Sequence, residues 1–377
     1  KFCFTVFYYA RSDAMKAHKV SATYYDGWEI PGTKNHFYVF YKSDLGAKGI
    51  DVKYRDVKTI TPERSFFMEE DFYYIDICRI PSLIYKLEKE INDYFATVKY
   101  NITCSIKNED GEIEEKRVSD YDSFMCCYDE INKWTVTNLN GNSISVEEFK
   151  FDINSYIFQV VGKIIEEDYF ANYLENNWST TRNGLIRAAG NNMDDYYVPD
   201  KMFLLEFVIV QNLRLNNVMK KDIMPILSIF ANCFGAMGFK ESELETIKEN
   251  GVLAFEPYFY GVLLDAARGN RGVISKYVNN MNQSYIVDFL RVPADMQFIT
   301  STAPCVVSKE IAGFKAEIYF PISSLFCIRF LARNLAQNRD GKVFDISNEK
   351  VRQINNIIAS KTDNIVVSQS EYISNFI

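Results

Sequence analysis

A chain of 377 residues, 47% hydrophobic and 24% charged, has the balance of a folded protein and a length that suggests about two domains, or one domain with a large insertion. A net charge of -8, with no block of Lys and Arg beyond pairs such as Lys220-Lys221, disfavours nucleic acid as a partner. Eight cysteines without a C-x-x-C pair and only two histidines, His18 and His36, argue against a metal site of zinc type, and no metal is expected.

The opening "KFCFTVFYYARSDA" lacks the graded apolar core and cleavage site of a signal peptide. Residues 1–9 are expected to form a strand. No apolar run reaches about 18 residues, so no membrane partner is expected. Scattered thiols in a chain this large fit a reduced, cytoplasmic location. "IPGTKN" is a turn into the strand "HFYVFYK", residues 36–42. Thr61 before Pro62 marks a turn or helix start. Apolar residues at Ile84, Leu87, Ile91, Tyr94, Phe95 and Val98 have helical spacing. Hairpins are expected around Asn108–Gly111 and Asn140-Gly141.

From Ser145 the texture changes. "SVEE" is a capping-box start, and helices are expected over 150–187, 200–218, 221–237, 242–249, 254–268 and 272–280. Short strands follow in "SYIVDFLRV", "MQFIT" and "KAEIYFPI", then a helix over 347–359 and the strand "NIVVS". The fold class is therefore α+β, a predominantly α-helical core with short strands and hairpins in the N- and C-terminal parts. Residues 1–79 are assigned to the β-rich start of the main domain, 80–145 to an inserted helix-and-hairpin module, and 146–377 to the helical core with its closing strands.

The helix "DKMFLLEFVIVQNLRLNNVM" carries Gln211 and Arg214 on one side of an otherwise apolar segment. Either they line a pocket in which Arg214 holds an anion, or they form a structural salt bridge or solvent-facing stripe. His18 is a candidate general base or a hydrogen-bonded structural histidine. Glu148-Phe149-Lys150 has the look of a nuclease half-motif, but it coincides with the helix start at Ser145. Glu166, Glu167, Asp168 and Glu175 form either paired carboxylates or a solvated acidic face. No phosphate loop and no nucleophile elbow is present, and Cys305 has no partner motif.

"HKVSATYYDGW", "HFYVFYK", "IIEEDYFANYLE", "FVIVQNLRLNN", "MQFITSTAPCVV", "IYFPIS" and "VRQINNIIASKTDNIVVS" occur in an order that resembles the bacterial family catalogued as domain of unknown function 4238. The resemblance puts His18 at the family's opening His and Gln211 and Arg214 at its Q-x-x-R. It puts Ser301 and Pro304 at its strand-to-turn segment and Asn355 at its late Asn. Two positions depart from it: Val20-Ser21 replaces a Val-Pro, and Thr302-Ala303 replaces an Asp-Asn.

What the resemblance implies is a bacterial protein of unknown biochemical function and unknown cofactor. One expectation is a small-ligand-binding or hydrolase- or nuclease-like protein of phage defence. In it His18 and Arg214 are catalytic, and Gln211, Ser301 and Asn355 bind a small anionic ligand. The alternative is a non-catalytic protein with a protein partner, whose polar motifs brace the fold.

Overall fold

A computed structural model describes residues 16–18, 22–32, 37–41, 58–60, 68–70, 81–98, 100–107, 112–191, 200–214, 260–311, 314–337, 340–361 and 364–368. The chain divides into two compact units, one of Lys1–Ala17 and Glu69–Ile164, the other of His18–Met68 and Ile165–Ile377. The expected strand at 1–9, the Thr61-Pro62 start and the helices at 221–237 and 242–249 lie outside the described residues. The first strands are β1 (Lys16–His18), β2 (Phe37–Tyr41), β3 (Lys58–Ile60) and β4 (Met68–Glu70). A 3-10 turn, Ala22–Trp28, lies between β1 and β2.

The smaller unit holds α1 (Pro81–Ile84) and α2 (Glu88–Thr97). The single helix expected over 84–98 is broken, because Lys86 and Leu87 bond back three residues to Leu83 and Ile84. Strand β5 (Tyr100–Lys107) pairs with β6 (Ile113–Arg117) as the expected hairpin. Helix α3 (Tyr121–Cys126) starts at Asp120, whose carboxylate accepts from the Ser123 amide at 2.8 Å. Strands β7 (Thr135–Asn138) and β8 (Ser143–Ile144) turn at Asn140-Gly141, where Gly141 has φ +80. The sheet order is β6-β5-β7-β8. Helix α4 (Val146–Lys163) begins where "SVEE" predicts, with Ser145 Oγ accepting from the Glu148 amide at 3.1 Å. Trp134 packs between Phe124 and Phe149 in this unit's core.

A π-helix, Ile164–Glu175, opens the helical part of the larger unit, followed by α5 (Asn176–Gly190) and α6 (Lys201–Arg214). Bonding five residues back widens each turn and brings residues four apart nearly into line. Tyr169 and Tyr173 accordingly stack, 5.8 Å apart at 14°. Residues 260–267 are helical, and α7 (Gly272–Ser284) runs into β9 (Tyr285–Arg291).

Then come β10 (Thr300–Ser301), β11 (Val306–Ile311), β12 (Phe314–Pro321), β13 (Phe326–Ala332), β14 (Val343–Asp345), α8 (Asn348–Ser360) and β15 (Asn364–Val367). They build two sheets, β11-β12-β13-β9-β14 and β10-β15-β2-β3. Helix α8 buries Val351, Ile354 and Ile358 against Phe298, Ile299 and Ile365. The protein is α+β, with helices and short, mostly antiparallel strands segregated along the chain. Among the described residues no helix is long and apolar enough to cross a membrane.

Candidate functional site

"MQFIT" has strand composition, but only Thr300 and Ser301 pair in a ladder, with Val366 and Ile365. The residues before them lie outside any ladder and are bonded largely by side chains. Asn355 on α8, fully buried, donates Nδ2 to the Gln297 carbonyl at 2.9 Å and accepts from the Ile299 amide at 3.2 Å. One carboxamide thus supplies the acceptor and donor that a neighbouring strand would supply. The Phe298 carbonyl accepts from Trp28 Nε1 at 2.9 Å, and the Phe298 amide donates to Ser324 O at 2.8 Å.

The 22–28 turn closes over the same segment. Tyr24 Oη donates to Pro321 O at 2.6 Å, so at 2.8 Å it accepts from Thr300 Oγ1. Tyr25 Oη donates to Ser301 O at 3.3 Å. Both phenols are fully buried, and burial pushes their pKa well above the usual tyrosine value. Gly27 lies so close to the 322–323 backbone that a Cβ there would be 2.6 Å from Ile322 O. Arg182 of α5 donates to Thr23 O at 3.1 Å and stands 3.8 Å from Asp26 Oδ2. Its burial lowers its pKa, and Asp26 opposes that shift.

Ser301 ends this segment in its own turn. Its hydroxyl accepts from the Ala303 amide at 3.0 Å, a Ser-type turn that does not need an acidic residue at 302. Pro304 has no amide to continue a ladder, and β11 starts two residues on. Ser301 and Asn355 are thus brought to one segment, and both are buried there.

Gln211 belongs to a different part of the unit. On α6 it follows Phe207 by four residues, so the two share a helix face. Phe207 stacks on Trp178 of α5 with ring centroids 4.0 Å apart at 7°. Gln211 is 1% exposed, and among the described residues neither its Oε1 nor its Nε2 has a hydrogen-bond partner; nor has Trp178 Nε1. On a different side of α6, Glu206 accepts from Tyr169 Oη at 2.9 Å and Tyr173 Oη at 3.0 Å. The Arg271 guanidinium lies 3.7 Å over the Tyr173 ring. Burial first, and the Glu206 charge second, push Tyr173 up to about 12. This carboxylate was not singled out by sequence, since its partners lie 37 and 33 residues upstream.

His18 sits at the end of β1 and Arg214 at the end of α6; the side chains of both lie outside the described residues. No group of three or more metal-ligating side chains is assembled among the described residues. Glu148-Phe149-Lys150, which has the look of a nuclease half-motif, lies in the first turns of α4, the helix start that Ser145 predicts, with Lys150 bonded to Asn132 and Glu147.

The family model for proteins of unknown function DUF4238 matches residues 55–372. The chain belongs to DUF4238. That match takes in the Q-x-x-R helix, the 296–307 segment and Asn355, and it leaves His18 and the 22–28 turn outside. In this DUF4238 chain the Asn and the strand-to-turn segment are structural partners of one another. No curated protein and no solved structure matches the chain.

Proposed function

We propose that this DUF4238 chain binds a small polar ligand at the α5–α6 face, with Gln211 as the group that recognises it. The observation that carries the reading is the unpaired carboxamide of Gln211, buried beside the stacked Phe207 and Trp178 rings. A buried donor and acceptor without partners is uncommon in a native core and marks a place where a bound molecule satisfies them. A carboxamide offers one donor and one acceptor side by side, which suits a carboxylic acid, an amide or a heterocycle edge. Arg214, three residues on, would supply charge to an anionic ligand. The catalytic form of the reading gives His18 the base and Arg214 the charge-stabilising role. A bacterial setting in phage defence is part of the proposal, and it rests on the family resemblance.

The test is a thermal-shift screen of the full chain against inorganic phosphate, short dicarboxylates, amino-acid amides and free nucleotides. A compound that raises Tm in the wild type and leaves folded Gln211→Leu unmoved supports the site. Equal shifts in both proteins would count against it. Turnover lost in His18→Ala with binding retained separates catalysis from binding alone.

A second reading is favoured by Asn355, Ser301 and Tyr24. Their hydrogen bonds are internal and buried, which is what a brace requires. Under it the family motifs hold the fold for a protein partner, and no compound in the screen acts through Gln211.

A further inference from the structure

Three register partners stand in a row on one face of the sheet β11-β12-β13-β9-β14: Tyr319 on β12, Arg329 on β13 and Asp288 on β9. Asp288 is 0% exposed, and one of its oxygens accepts from Arg329 Nε at 3.1 Å and from Arg329 Nη2 at 2.6 Å. Among the described residues Arg329 Nη1 is left without a hydrogen bond; Glu317 Oε1 stands 3.8 Å from it. Glu317 lies two residues before Tyr319 and so on the same face, and its other oxygen accepts from Ser308 Oγ at 3.2 Å. Ser308 is the extra residue of a β-bulge between the pairs Val307–Ile318 and Lys309–Glu317, a device that re-aims a side chain.

Two lysines close on the row. Lys350 Nζ, from the first turn of α8, lies 5.4 Å over the Tyr319 ring. Lys342 Nζ lies 5.3 Å over the Phe344 ring, which the Arg329 guanidinium meets at 4.9 Å. Neither lysine has a carboxylate partner among the described residues, and Lys350 bonds only the Gln353 side chain, at 3.0 Å. The group thus sets three cations against two carboxylates, and both carboxylates are engaged by Arg329 or Ser308. Within it the Tyr319 hydroxyl, on a side chain 0% exposed, has no hydrogen-bond partner among the described residues.

We propose that this sheet face is a ligand site separate from the one at Gln211, and that it binds the phosphate of a small phosphate monoester through Tyr319, Arg329 and Lys350. A buried hydroxyl without a partner is uncommon, and a bound oxygen is what would satisfy it. The Arg329 side chain is 19% exposed, so its unbonded Nη1 stands at the open rim of the same face. Asp288 fixes the plane of the guanidinium beforehand, so little ordering remains to be done on binding. A phosphate monoester has three terminal oxygens, one each for the phenol, the guanidinium and the ammonium, whereas a carboxylate has two. Its charge answers the excess of cations, which the two engaged carboxylates leave uncancelled.

The test titrates the full chain by isothermal calorimetry with glycerol 3-phosphate, and with succinate as a carboxylate control at the same ionic strength. The wild type is expected to bind the phosphate ester saturably, with a Kd below about 1 mM. Tyr319→Phe deletes only the unpaired hydroxyl, keeps the ring in the core and is expected to weaken binding about tenfold, the usual loss for a hydrogen bond to a charged group. Lys350→Met is expected to weaken it severalfold, and Gln211→Leu to leave it unchanged. The proposal is overturned if the wild type shows no saturable binding, or if Tyr319→Phe binds as the wild type does. Succinate binding as tightly as the phosphate ester would overturn the phosphate assignment. A loss seen in Gln211→Leu and not in Tyr319→Phe would overturn this site and place the ligand at the α5–α6 face, so the two readings fail separately.

Discussion

Replacing Gln211 by Leu should make the protein more stable. The side chain is 1% exposed, and its amide carries an unpaired acceptor and an unpaired donor among the described residues. Each buried polar group without a partner costs about 1–3 kcal/mol. Leucine is close in volume and removes both, and the misfit of such a swap is usually below about 1.5 kcal/mol. Taking the two groups together and subtracting the misfit, the net gain is about 0.5–4.5 kcal/mol. In a domain of roughly 150–250 residues each kcal/mol moves Tm by about 2–4 °C. A rise of roughly 1–18 °C in a calorimetric scan of the ligand-free protein is the expected result. Loss of the ligand-induced shift should accompany it, the trade of function against stability that a binding residue makes. A fall in Tm would show that the amide is already satisfied in the free protein, and the binding reading would go with it.

Asn355→Leu strips partners from the Ile299 amide and the Gln297 carbonyl, and should lower the stability of the larger unit by about 2–5 kcal/mol in a urea titration. An unchanged midpoint would show that the carboxamide clasp carries no weight. Gly27→Ala places a Cβ 2.6 Å from Ile322 O and 2.8 Å from Ser323 Cα, so the 22–28 turn must lift. About 1–3 kcal/mol should be lost, with faster hydrogen exchange of the Ser324 amide that bonds Gly27 O. Burial raises the phenols of Tyr24, Tyr25, Tyr169 and Tyr173, the last to about 12. Folded values above unfolded ones mean that this stability is complete below about pH 10 and is lost as pH rises through 12 and beyond. Phenolate absorbance followed against pH should show a late, cooperative phase that urea abolishes; a single phase near pH 10 would refute the assignment.

What the sequence disclosed follows the range of the interactions. The hairpin at Asn140-Gly141 and the helix start at Ser145 were legible because their deciding bonds span a few residues, as from Ser145 Oγ to the Glu148 amide. Helix α8 and strand β9 were legible from their apolar period. The "MQFIT" segment was not, because its partners are Trp28 and Asn355, 270 and 56 residues distant along the chain for Phe298 and Ile299. The helix break at Tyr85–Leu87 and the π-helix at 164–175 preserve the apolar spacing that suggested regular helix, so period alone could not reveal them. Gln211 stood out as a polar residue in a greasy helix, whereas Glu206 in that same helix was not singled out, because its partners Tyr169 and Tyr173 lie 37 and 33 residues away.

The clasped segment also sets a timetable for synthesis. Among the described residues Thr300 and Ser301 pair only with β15, β15 joins them to β2, and Asn355 lies between in the chain. A ribosome must therefore release residues up to about 324 before the 22–28 turn meets Phe298, Ser301, Pro321 and Ser324, and up to about 367 before β2 meets β15. Until then Trp28, Tyr24 and Tyr25 are three large aromatic side chains without a home. Closing so long a loop is slow, and a nascent chain with exposed aromatics is a natural client for a chaperone. Smaller-unit elements such as the β7–β8 hairpin and α4, whose contacts are local, can be in place while that wait goes on.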